Sequence, residues 1–209
     1  MTNLAFALTD FLVVIGAAIG VWRLWPERRH GEVRMIRLGL VLMALAALVG
    51  TVRFASGQVD GTLATAHSLA SSYAAAAGLL LIATGLALAA FRITLPAGVT
   101  RYVRYGIAVF VAFVLAMPGS AGFIDALPAL ALLIGLAGSG AILTRRDWPA
   151  GLVWLASFAL LAFASLAIGG SRETVTLGLA NWHIYHTLLG VWAVLTGEGA
   201  RRLFARRGA

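Results

Sequence analysis

The stretch Leu63–Phe91, LATAHSLASSYAAAAGLLLIATGLALAAF, lies between Asp60 and Arg92 and holds no Asp, Glu, Lys or Arg. About 20 consecutive apolar residues are enough to cross the hydrocarbon of a bilayer as a helix. The run is longer than that, so it reads as a membrane span with length to spare for tilt. Working outward from it, apolar stretches bounded by charges or turn residues give seven segments in all: Leu4–Trp25, Met35–Ala55, Leu63–Phe91, Tyr105–Met117, Ile124–Leu143, Ala150–Ile168 and Thr176–Leu195. The connections are short and none has the composition of a separate soluble domain. Residues 1–209 therefore read as a single all-α domain, a polytopic bundle of seven transmembrane helices. The first segment lacks a basic leader and is followed by Arg23, which predicts a retained span rather than a cleaved signal.

Composition agrees. Of 209 residues, 61% are hydrophobic and 11% charged, and the mean hydropathy is +0.93. A soluble domain is about 45–50% apolar and about one quarter charged. Soluble, disordered and coiled-coil classes are excluded on that ground. The absence of cysteine removes disulfide, thiolate and iron–sulfur chemistry. All 16 basic residues are arginine, and without a lysine a retinal Schiff base cannot form.

The net charge of +8 is a topology signal rather than a nucleic-acid footprint. Arg23, Arg28, Arg29, Arg34 and Arg37 follow the first segment; Arg92, Arg101 and Arg104 follow the third; Arg145 and Arg146 follow the fifth; Arg201, Arg202, Arg206 and Arg207 follow the seventh. Only Arg53 and Arg172 fall on the other side. Because cytoplasmic loops retain basic residues, this pattern predicts an N-terminus outside and a C-terminus in the cytoplasm, which requires an odd number of spans. A bacterial inner membrane is the expected setting, with membrane lipid as partner and no nucleic acid.

Ionisable groups are costly in hydrocarbon, so each one kept there is a functional candidate. Asp10, Arg53, His67 with Ser71, Asp125, and the group Asn181, His183, Tyr185 and His186 all fall in the predicted outer half. With a rise of about 1.5 Å per residue, Asp10 and His67 sit about 8–9 Å below the outer surface, and His183 and His186 about 10–15 Å. His183 and His186 share a face at i, i+3, as His67 and Ser71 do at i, i+4. Three histidines at one level can hold a zinc ion and leave a position for water, whose pKa falls to about 7. His67, His183 and His186 are the expected ligands, and Asp10, Asp60 or Asp125 could orient an imidazole or act as general base. Other readings stand beside this one. His67 alone could be an interhelical hydrogen-bond partner, Asp10 and Arg53 could form an ion pair, and Trp182 and Tyr185 could be interfacial aromatics. Gly16 and Gly20 form a GxxxG, read as packing within the bundle.

The architecture and the segment Asn181-Trp182-His183-Ile184-Tyr185-His186 resemble the seven-helix hydrolase superfamily of alkaline ceramidases, progestin/adiponectin receptors and hemolysin-III-like proteins. The resemblance implies a histidine-held zinc and hydrolysis of a lipid amide or ester. His183 and His186 match its paired ligands, with H-x-x-H in place of H-x-x-x-H, and Asp60 loosely matches its third-helix aspartate. Arg53 stands where that group has a histidine, and the preceding Gly50-Thr51-Val52 lacks its serine. The expected function is a zinc-dependent membrane hydrolase near the outer leaflet, with Asp10, Asp60 and Ser71 as catalytic candidates. The alternatives are a transport or binding protein with a polar Asp-Arg-His cavity, and electron transfer through a b-type haem on His67 and His183 or His186.

Overall fold

Hydrocarbon offers no water to a backbone amide, so a chain this apolar satisfies its peptide groups within helices. The computed structural model describes residues 2–145 and 147–205; Arg146, Arg206 and Arg207, which entered the charge reading, lie outside the described residues. Among the described residues seven helices follow in order: α1 Asn3–Arg23, α2 Gly31–Ala55, α3 Thr62–Ala90, α4 Ala97–Leu115, α5 Ala121–Thr144, α6 Trp148–Ile168 and α7 Asn181–Ala205. A two-residue hairpin, β1 Val175–Thr176 and β2 Leu179–Ala180, precedes α7. Six of these helices, α1 to α6, are long and apolar enough to cross a membrane, so the chain is an all-α integral membrane protein.

Helix α7 is as long as α2 but of mixed composition, with Asn181, His183 and His186 in its first turns and Glu198, Arg201 and Arg202 in its last. Its start also differs from the apolar segment beginning at Thr176. Residues 175–180 turn back as the hairpin, with Leu177 at φ 54° and Gly178 at φ 79° supplying the left-handed pair that a tight turn needs. Helix α4 begins at Ala97 rather than Tyr105, immediately after Pro96, so Arg101 and Arg104 ride on its first turns instead of in a loop. A hydropathy boundary marks where the lipid ends, whereas the helix continues past it. Five-residue π-helical stretches interrupt α3 at Ala74–Gly78 and end α6 at Ala164–Ile168.

Helix α1 packs on α2 and α7, α3 runs back along α2, and α5 and α6 close the bundle against α3 and α7. Contacts fix the directions. Thr9 meets His183 and Arg23 meets Glu198, so α1 and α7 are parallel; Asp10 lies by Gly50 and Gly20 by Leu40, so α2 is antiparallel to both. The α1–α7 seam is backbone on backbone: a Cβ added at Gly16 would overlap the Gly190 carbonyl oxygen. Small residues permit that approach where lipid removes most of the hydrophobic drive between helices. The large core side chains Trp154, Phe158, Trp192 and Phe204 are fully buried. Leu166, Phe113 and Leu4 point outward at 82%, 65% and 62% exposure, as lipid-facing residues do. At one end of the bundle Glu198 gathers Arg23, Arg201 and Arg202, and Arg145 bonds the Ala90 carbonyl. At the other, Arg53 and Arg172 flank the Phe54 ring.

Candidate functional site

Four helices deliver the polar residues of that other end to one place. Asp10 comes from α1, Arg53 from α2, His67 from α3, and Trp182, His183 and His186 from α7. Asp10 has no solvent exposure. Its Oδ1 accepts the indole N–H of Trp182 at 3.1 Å and faces His186 Nε2 at 3.4 Å. Its Oδ2 has no hydrogen-bond partner and faces His67 Nε2 at 4.0 Å. Gly50 makes room for this carboxylate, since a Cβ there would overlap Oδ2 and stand 2.7 Å from His67 Nε2.

The partners of the rings fix where their protons sit. His186 Nδ1 lies 2.8 Å from the Trp182 carbonyl oxygen, which can only accept, so Nδ1 carries a hydrogen. Arg53 Nη1 lies 3.3 Å from His67 Nδ1; a guanidinium can only donate, so that nitrogen is a lone pair and the hydrogen of neutral His67 is on Nε2, toward Asp10. The Thr9 hydroxyl lies 3.0 Å from the Phe6 carbonyl and 3.2 Å from His183 Nδ1, and with its hydrogen on that carbonyl it accepts from the ring. His183 Nε2 is then a lone pair, buried without a partner. Aromatic rings close the cluster: Trp182 stacks on His186 at 4.2 Å between centroids, Phe6 on His183 at 4.7 Å, and Phe54 meets both His67 and Trp182 edge-on.

The three expected zinc ligands therefore divide. His67 and His186 flank Asp10 and, with Ser71 and Tyr185, line one cavity of about 90 Å³; His183 turns instead to Thr9 and a separate apolar groove bounded by Leu8 and Leu188. No group of three or more His, Cys, Asp or Glu among the described residues is arranged to hold a metal ion. With Arg53 on its Nδ1, neutral His67 turns an N–H rather than a lone pair toward Asp10, so this nitrogen offers no ligand in that tautomer. The reason is local: an arginine on the neighbouring helix already occupies the second nitrogen, where a ligand imidazole would need an acceptor.

The remaining predicted residues are placed as follows. Asp60 is exposed in the loop between α2 and α3, within electrostatic reach of Arg53, and Asp125 is exposed on α5. Asn181 is buried and donates to the Ile168 carbonyl at 2.6 Å, tying the start of α7 to the end of α6. Tyr185 packs edge-on against His186. Arg53 forms no ion pair within contact distance of Asp10 among the described residues; it bonds the Val59 carbonyl and the His67 ring, and acts on the aspartate through space.

Compared with known proteins, the chain matches no family model, no curated protein and no solved structure. Its chemistry is read from the side chains themselves. Sequence reasoning missed Trp182 as a donor to Asp10 and Thr9 as the acceptor for His183. The signals were present: Trp182 stands one helical turn before His186, and Thr9 is adjacent to Asp10.

Proposed function

We propose that this chain is a seven-span membrane protein, N-terminus outside, of the bacterial inner membrane, and that its Asp10–His67–His186 cluster binds and releases a proton in service of transport or small-solute binding. One contact carries the reading. His186 Nε2 faces Asp10 Oδ1 at 3.4 Å while its Nδ1–H is committed to a carbonyl. With the ring neutral and the carboxylate ionised, two lone pairs would oppose each other in a buried site. A proton on either atom turns that repulsion into a hydrogen bond, as imidazolium with carboxylate or imidazole with carboxylic acid. The guanidinium of Arg53, acting through space, balances the charge when the proton leaves. Intramembrane Asp and His chains of this kind serve as proton relays in pumps and transporters.

The cavity supports the same reading. At about 90 Å³ it is well below the roughly 300–1,000 Å³ of sites that hold drug-sized ligands or cofactors, so it suits water or a small polar solute rather than a haem or a lipid headgroup. It extends from His67 and His186 inward to Val13, Ala74 and Leu189, and its wall includes the π-helical stretch of α3. Such bulges recur at functional sites.

The test is proton uptake by purified protein in detergent, followed with a pH-indicator dye after an alkaline-to-acid jump. We expect Asp10→Asn to take up one proton fewer per chain than the parent. Identical uptake by parent and variant overturns the reading.

A further inference from the structure

A further cavity lies at the arginine-rich end, remote from Asp10. It has a volume of about 590 Å³ and is lined by Arg29, Arg34, Arg101 and Arg104. This is the size range of small-molecule sites. The ion pairs that Glu198 and Glu27 make at this end go to Arg23, Arg201, Arg202 and His30 rather than to these four arginines. The acids nearby are few: Glu27 pairs with His30 at 3.6 Å, Glu198 is shared among Arg23, Arg201 and Arg202, and Glu32 on the cavity wall is already partnered. Four guanidinium groups thus share one concave surface with little to offset them.

Two helices also begin on this wall, α2 at Gly31 and α4 at Ala97, and neither N-terminus has a side-chain cap. They are pressed together, because a Cβ at Gly31 would overlap the Thr100 side chain in the first turns of α4. Their leading N–H groups and positive dipole ends add to the arginine field. Arginine is the side chain whose planar fork matches the oxygens of a phosphate.

We propose that this cavity is a binding site for an anionic phosphate group, gripped by Arg29, Arg34, Arg101 and Arg104 at the mouth of the bundle. The phosphate is carried either by an anionic lipid headgroup of the adjoining leaflet or by a soluble phosphate compound. Basic pockets between helices at the cytoplasmic surface hold lipid headgroups in this manner. The site is independent of the proton-binding reading, since it shares no residue with it.

The experiment places the protein in phosphatidylcholine nanodiscs and measures its melting temperature alone, with added pyrophosphate at chloride-matched ionic strength, and in nanodiscs containing phosphatidylglycerol. We expect the melting temperature to rise saturably with one probe or both. A rise with phosphatidylglycerol only assigns the site to a lipid headgroup, and a rise with pyrophosphate only assigns it to a soluble phosphate. Arg29→Gln/Arg101→Gln should lose most of the rise, while Arg172→Gln, at the opposite end, should keep it. Arg101→Gln alone serves if the double variant does not fold, and should lose part of the rise. No rise with either probe, or an equal rise in the parent and the Arg101 variant, overturns the proposal.

Discussion

The carboxylate of Asp10 occupies the space that a side chain at position 50 would need. A Cβ on Gly50 would overlap Asp10 Oδ2 and press on His67 Nε2 at 2.7 Å. The glycine of α2 is thus part of the polar site, although it contributes no functional group. It lets α1 and α3 bring an aspartate and a histidine together across it.

Gly50→Ala should therefore displace Asp10. Overpacking a filled interior costs about 1–3 kcal/mol, and the variant should unfold at correspondingly lower denaturant in mixed micelles. It should also lose the Asp10-dependent proton uptake. Gly106→Ala is the control, because nothing lies within 4 Å of a Cβ there and a helical Gly→Ala change is neutral or favourable. Wild-type stability in Gly50→Ala would show that the carboxylate has room to move aside.

Asp10→Asn preserves shape while removing the ionisable oxygen. The amide offers either an acceptor to Trp182 or a donor to His186, but not both at the position the two share. One hydrogen bond is lost, at a cost of about 1 kcal/mol. The variant should fold, bind one proton fewer, and unfold with a flatter dependence on pH than the parent. An unchanged pH dependence of unfolding would remove Asp10 from the titrating site.

Trp182→Phe keeps a ring to stack on His186 and deletes the N–H that Asp10 accepts at 3.1 Å. A hydrogen bond to a charged group contributes about 1.5–3 kcal/mol. The loss should be near that range in the parent background and markedly smaller when Asp10 is already Asn, because the charged acceptor is then gone. Equal losses in the two backgrounds, measured as a double-mutant cycle of unfolding free energies, would mean that the indole acts by packing alone.

Membrane helices were the legible part of this chain, because hydropathy reports the lipid boundary directly. That is why Leu63–Phe91 and the helix Thr62–Ala90 nearly coincide. Helix ends outside the lipid were not legible: Arg101 and Arg104 read as loop yet belong to α4, whose start is set by Pro96. At the site, depth along each helix brought Asp10, His67 and His186 to one level, and the structure brings them together. Depth says nothing about rotation between helices. His183 and His186, on one face by spacing, part company because α7 packs along α1 and α6 and meets two successive α1 residues, His183 at Thr9 and His186 at Asp10. The second nitrogen of His67 was equally hidden, since its partner Arg53 belongs to another helix.

The topology can be read with single cysteines, since the chain has none of its own. Glu173 is exposed before the hairpin, Gly98 has open space at the start of α4, and Ala205 is exposed at the end of α7. In intact cells a membrane-impermeant maleimide should label Glu173→Cys, and should label Gly98→Cys and Ala205→Cys only after the membrane is opened. The decisive comparison is between positions 173 and 205, which bracket α7, the one helix too polar to count as a span by composition. Its polar face is turned inward: Asn181, His183 and Thr196 are buried, so lipid does not meet them. A helix of 25 residues at about 1.5 Å each is long enough to cross. Opposite accessibility at its two ends makes it the seventh span and puts the arginine-rich end in the cytoplasm; labelling of both from outside would leave six.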